Sequence, residues 1–330
     1  MCICKQRAGL KVLATASMML SATIAVLAAA DYPERPIKII VPAPAGPILD
    51  ILPRIISEKL AARWGQPVIV ENRPGGANLI GTEAVMNAAP DGYMLLVAPP
   101  GSLVINPYFF PKPGYDPSVL VPVTLLAKLP PVVVTNSKRP FATLSDLISF
   151  AKANPGKLSY GSPGASSAPQ LAMEQLMRAA NINLIHVPYA GGLAPAERDL
   201  IAGHIDVMFD VVGNAWPLLQ DGSLRALAVG ATTRLPELPD VPSVAETIPG
   251  YVHDEWFAVL APPKTPPEII DKLSSAIAET LKMPDVAKRF GTFHVVPGGS
   301  SPAETAAFIK SENARWRQLS TTMGTKPESK

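Results

Sequence analysis

The chain has 330 residues, 48% of them hydrophobic, with 29 Lys and Arg against 27 Asp and Glu for a formal charge of +2. That length exceeds what one hydrophobic core usually serves, so two domains are expected. A near-balanced charge without a Lys/Arg run leaves no electrostatic footprint for nucleic acid or an anionic membrane, and no nucleic-acid partner is expected.

Lys5, Arg7 and Lys11 precede an apolar stretch that begins at Val12 and ends in Ala28, Ala29 and Ala30. A basic start, an apolar middle and small residues before a polar segment form the layout of a secretory signal. Residues 1–30 are therefore read as a signal peptide cut near Ala30, leaving a soluble chain outside the cytoplasm. An uncleaved anchor is the competing reading, since the apolar run nearly reaches the roughly 18 residues of a membrane span. Both cysteines, Cys2 and Cys4, fall in this segment, so the mature chain has no thiol chemistry and no disulfide. Its removal takes away three cations and no acids, turning 29 against 27 into 26 against 27, or −1.

Beyond it, short apolar runs alternate with helical patterns. Ile37 to Val41 (IKIIV), a helix after Asp50, Pro67 to Glu71 (PVIVE), a helix around Thr82 to Ala88 and Tyr93 to Ala98 (YMLLVA) read as βαβαβ with strands buried on both faces. A second series follows: a strand at Val132 to Thr135, a helix from Leu144 to Ala153, LSYG, a helix from Gln170 to Ala180, IHVPY, a helix near Pro195 to Ala202, and IDVMFD. Two α/β lobes are indicated. Thr143 with Asp146, Thr265 with Pro266 and Glu268, and Ser301 with Pro302 and Glu304 mark helix starts. Pro53 is accommodated if Asp50 is the N-cap, because a proline in the first turn loses no hydrogen bond.

Three loops at strand ends could hold an anion. Pro44, Ala45 and Gly46 lead into the helix at Asp50, where free N–H groups converge. Ser162, Gly164, Ser166 and Ser167 form a second loop rich in hydroxyls, and Tyr189 with Asp210 ends the next two strands. Each loop alone is equally an ordinary tight connection. No G-x-S-x-G surrounds Ser166 or Ser167, no G-x-G-x-x-G spacing exists in Pro74 to Gly81, and no metal-ligand cluster is present, so no enzyme, cofactor or metal is expected. His186 and His204 are read as structural.

YPERPIKIIVPAPAGPILD, ENRPGG, APDGYMLLVAPP, ANPGKLSYGSPG, HVPYAGG, IAGHIDVMFD and the ALAV-to-LPDVP block resemble, in order and spacing across the mature chain, the tripartite tricarboxylate transporter substrate-binding family. The resemblance implies a two-lobed, type II periplasmic-binding-protein-like α/β fold with the ligand between lobes. Lobe one would be 31–129 plus 254–330, and lobe two 130–253. It implies a periplasmic, monomeric receptor for a small carboxylate, serving membrane components of a tripartite transporter or, alternatively, a sensor kinase. Matching positions add Ser102 to the loop residues above. Departures fall at Pro47, Pro99, Pro100, Pro131 and Ala190. Because proline has no N–H, a ligand less polar than citrate is expected.

Overall fold

The computed structural model describes residues 32–109, 114–164, 167–189 and 192–322, so the expected signal segment, Ser166 and Ala190 lie outside the described residues. In chain order the elements are β1 (Ile37–Val41), α1 (Ile48–Trp64), β2 (Val68–Asn72), α2 (Leu79–Met86), β3 (Met94–Ala98), a π-helical turn (Gly101–Ile105), α3 (Asn106–Phe109), β4 (Val121–Leu129), β5 (Pro131–Asn136) and α4 (Leu144–Ala153). Then come β6 (Ser159–Ser162), α5 (Ala168–Ala180), β7 (Ile185–Pro188), α6 (Leu193–Ala202), β8 (Val207–Val211), α7 (Val212–Gln220), β9 (Leu224–Val229) and α8 (Val244–Thr247). The chain finishes with β10 (Glu255–Ala261), α9 (Pro267–Leu281), α10 (Pro284–Gly291), β11 (Val296–Pro297) and α11 (Pro302–Thr322).

Two mixed sheets result, one of six strands in the order β11-β4-β10-β3-β1-β2 and one of five in the order β7-β6-β8-β5-β9. The apolar runs of β1 and β3 pair in parallel at the first sheet's centre, where Ile37, Ile39, Ile40 and Val41 are fully buried. Strands covered by helices on both faces need no polar alternation, which is why these runs read as unbroken hydrophobic stretches. One face packs on α1, α9 and α10, and the other sets Trp256 of β10 into a cluster with Trp316 of α11.

β4 and β5 are separated only by Pro130 yet belong to different sheets. Pro130 cannot donate a ladder bond, but its carbonyl accepts from Val212 N at 2.9 Å as the chain crosses over. The return crossing precedes β10. The two crossings meet at Gly230, whose N–H donates to Pro131 O at 2.7 Å. A Cβ there would lie 3.1 Å from Pro131 Cβ and 3.3 Å from His253 O, so glycine is what permits the approach.

The helix starts at Thr143 and Ser301 form capping boxes with Asp146 and Glu304. Two starts differ from expectation. Helix α1 begins at Ile48 with Pro47 as its N-cap, so Asp50 lies within the first turn and Pro53 sits one turn further in. Thr265 caps nothing, because its hydroxyl is buried and bonded to Pro262 O at 2.9 Å, and Pro266 takes the N-cap position of α9. Proline tolerates both N-caps because no N–H is required of that residue. Among the described residues no helix is long and apolar enough to cross a membrane.

Candidate functional site

A cavity of about 900 Å³ opens where the loops of both sheets face each other across the crossing segments. From the first sheet it is walled by Pro42 to Ala45, Pro47 and the start of α1, by Pro74 to Asn78 after β2, and by Pro99 to Gly101 after β3. The second sheet supplies Pro163, Ser167, Gly192, Phe209, Asp210 and Asn214, and the crossings supply Leu129, Pro131, His253 and Glu255. Its volume is in the range of pockets that enclose small organic ligands. No Lys or Arg is among its described lining residues. A second, more open hollow of about 750 Å³ runs along α11 between Leu103, Pro122, Ile309 and Arg317 and contains none of the sequence-predicted residues.

Of the sequence-predicted residues, the structure brings Pro44, Ala45, Ser167 and Asp210 to the cavity wall. Four of the positions where proline departs from the family pattern, Pro47, Pro99, Pro100 and Pro131, line it as well. The remaining described ones are not on the wall. Asp50 is buried and its carboxylate accepts from Gly46 N at 3.0 Å, Arg54 Nη2 at 2.8 Å and Asn72 Nδ2 at 2.9 Å. Burial pushes this carboxyl up, but the bonds from Arg54, the Gly46 N–H and Asn72 outweigh it and hold it below the usual carboxylate range. The Gly46 N–H is thereby consumed inside the protein; with φ at +109° the residue adopts a backbone that side chains resist, which turns that N–H toward Asp50.

Ser102 is fully buried with its hydroxyl unpartnered, while its carbonyl accepts from the Tyr115 hydroxyl. Ser162 is also fully buried, its Oγ 2.7 Å from His186 Nε2 and 3.1 Å from Gly164 N. His186 stacks on Tyr160 at 4.8 Å, and burial lowers its pKa in spite of nearby Glu174, so the ring stays neutral and braces the second loop. Ser167 caps α5 and donates to Gly164 O at 2.7 Å. Tyr189 points its hydroxyl to Asp199 Oδ2 at 2.6 Å, away from the cavity wall. His204, expected to be structural, is a surface residue 3.3 Å from Asp199 with its side chain 71% exposed.

Asp210 Oδ1 accepts from Val211 N at 2.7 Å and Asn214 Nδ2 at 3.1 Å, and the carboxyl of Glu197 stands within hydrogen-bonding reach of it. Burial first, and the neighbouring Glu197 second, push its carboxyl well above the ordinary value. On the crossing segment, His253 is fully buried with Nδ1 unpartnered and is pushed down to about 3 by burial and by Arg315. Sequence reasoning missed His253 and Glu255, along with Asn78 and Asn214. The loop at Pro74 to Gly81 enters the sequence reading as a failed dinucleotide fingerprint and as part of the ENRPGG block, not as cavity wall. A signal for His253 and Glu255 existed in their place beside the expected crossing, but nothing in the letters aimed them at a cleft.

Two α/β sheets meeting over a ligand-sized cleft, with polar groups converging from both sides, define a solute receptor of the bilobal binding-protein class. The sequence profile of the tripartite tricarboxylate transporter family receptor matches residues 52–325, and the chain belongs to that family of periplasmic solute-binding receptors, which are not enzymes. It is 37% identical over 302 residues to BugT of Bordetella pertussis, covering 90% of this chain and 92% of that one. Its structure resembles that of Rpa4515 of R. palustris with adipate (TM-score 0.82, 32% identity, covering 89% of this chain and 98% of that one). It also resembles MatC of Rhodopseudomonas palustris with bound malate, with a TM-score of 0.78 and 30% identity over 88% of this chain and all of that one.

Proposed function

We propose that this chain is exported by its N-terminal signal, captures a small carboxylate in the cleft between two lobes, 31–129 with 254–330 and 130–253, and delivers it to the membrane components of a tripartite tricarboxylate-type transporter. The observation that carries the reading is the cavity itself, of about 900 Å³ and drawing its wall from the loops of both sheets. Relatives of this fold hold adipate and malate, acids whose size suits such a space.

The wall's composition narrows the ligand. Nine prolines, among them Pro42, Pro44, Pro47, Pro99, Pro100 and Pro131, present no N–H, and no Lys or Arg stands among the described lining residues. A hydrogen bond to a charged group contributes about 1.5 to 3 kcal/mol, and micromolar binding needs about 8 kcal/mol. A few bonds to the ligand's carboxylate plus burial of an apolar body reach that value, which favours an aliphatic or aromatic monocarboxylate or a long dicarboxylate over citrate.

The test is a thermal-shift screen of the protein purified from the periplasm against mono-, di- and tricarboxylates, amino acids and aromatic acids. At 100 times Kd a ligand stabilises by about 2.7 kcal/mol, a shift the assay resolves. Stabilisation by amino acids alone, with every simple carboxylate inert, refutes the reading. Capture of a sensor kinase, with no transporter component, from solubilised membranes would replace delivery for transport by delivery for signalling.

A further inference from the structure

Where the crossing segments border the cleft, one buried group on its wall lacks the partner that buried polar atoms normally have, and an acid beside it stands without a counter-ion. His253 Nδ1 is buried without a hydrogen bond, and Glu255, the first residue of β10, is part-buried on the same wall with no ion pair among the described residues. Glu255 pairs in register with Leu129, so it sits where one crossing segment passes the other.

The charged groups around it cannot neutralise it. Arg315 of α11 is the cation acting on it, but its Nε and Nη2 bond Glu312 at 2.8 and 2.7 Å, and its Nη1 bonds Val252 O at 3.2 Å. Glu312 and the adjacent Asp254 add negative potential, and Lys128 of β4 acts on Asp254. His253 is neutral, and on the second-sheet side Asp210 has Glu197 of α6 beside it. Burial above all, with Glu312 and Asp254 adding to it against Arg315, pushes the Glu255 carboxyl up to about 8, so at neutral pH it is largely an uncharged O–H donor.

Taking the carboxylate reading of the cleft as given, we propose that Glu255 is the specificity-determining group where the crossing segments border it: its neutral carboxyl donates a hydrogen bond to a carboxylate oxygen of the ligand, beside neutral His253. The protein thereby binds an anion together with one proton and needs no cation in its wall. The shared proton is the one Glu255 already holds. When Glu255 ionises, two carboxylates face each other in a poorly hydrated space and binding weakens.

The experiment is isothermal titration of the periplasmic protein with adipate, or with whichever acid of the screen binds more tightly, between pH 6 and 9 in buffer pairs of different ionisation enthalpy. The expected Kd is constant from pH 6 to 7 and then weakens toward about tenfold per pH unit above 8, with proton uptake nearing one per ligand at pH 9. Glu255→Gln, which keeps a neutral donor and cannot ionise, flattens the profile whatever its own affinity, and Asp254→Asn, which removes one of the charges that raise the Glu255 carboxyl, moves the profile to lower pH without flattening it. A flat profile in the wild-type protein, or tighter binding at pH 9, overturns the assignment of Glu255 while leaving the carboxylate receptor standing. Absence of binding by any acid at pH 6, where Glu255 is neutral, overturns both.

Discussion

Replacing Asp50 by alanine tests how the first loop of the cleft is held in shape. The carboxylate is 3% exposed and accepts from Gly46 N, Arg54 and Asn72. Arg54 has a side chain 45% exposed and keeps its 2.8 Å bond to Asn72 Oδ1, so in Asp50→Ala its charge is rehydrated and not stranded. That part of the loss is then less than about 1 kcal/mol. Gly46 and Asn72 each lose a charged acceptor in a part-buried setting, at about 1 to 1.5 kcal/mol apiece, for a total near 3 kcal/mol. With an unfolding entropy of about 2.1 cal/mol/K per residue, a chain this size loses roughly 5 °C in Tm. Adipate affinity should fall as well, since Pro44 and Ala45 lose the anchor of their loop. The stabilisation from a carboxyl held below its ordinary value is present above that ordinary value and is lost as pH falls through the lowered one. Scanning calorimetry should therefore show a gap between wild type and Asp50→Ala at pH 7 that narrows in acid. A Tm within 1 °C of wild type at pH 7, with unchanged adipate binding, refutes this account of the loop.

Three further outcomes are expected. Gly213→Ala would set a Cβ 2.1 Å from Phe293 O, and because a backbone atom cannot swing aside, the variant should lose about 3 kcal/mol or more by urea denaturation; Gly291→Ala, with nothing within 4 Å, should lose none. Thr143→Ala removes one half of the capping box of α4 and should lower stability by about 1 kcal/mol in the same assay. Glu312→Ala strips part-buried Arg315 and Trp256 Nε1 of their shared buried acceptor and should cost about 3 kcal/mol, with a shift in tryptophan fluorescence as Trp256 repacks.

Much of the architecture was determined by sequence alone. Apolar runs such as IKIIV and MLLVA are long enough for strands, too short for helices and lack polar alternation, which leaves parallel strands covered on both faces. Thr143-to-Asp146 and Ser301-to-Glu304 spacing was enough for capping boxes, because a cap depends only on residues within one turn. The ordered blocks from ENRPGG to LPDVP were enough to place the chain in its family. Local chemistry did not settle where Thr265 or Asp50 would point, since a buried carbonyl claimed the first and Arg54 with Asn72 claimed the second.

The site divides in the same way. Pro44, Ala45 and Ser167 were legible because each lies on a loop at a strand end, and Asp210 because it lies near the end of β8, and strand ends gather in one place in α/β folds. Only the tertiary structure decided that Asp50, Ser162 and Tyr189 are not on the wall, each bonded to a side chain that sequence distance does not reveal. It alone brought His253 and Glu255 to the cleft, because their position follows from two crossing segments more than a hundred residues apart meeting at Gly230. A lone acid before a strand says nothing of its charge; burial beside an arginine already bonded elsewhere is what leaves Glu255 holding its proton.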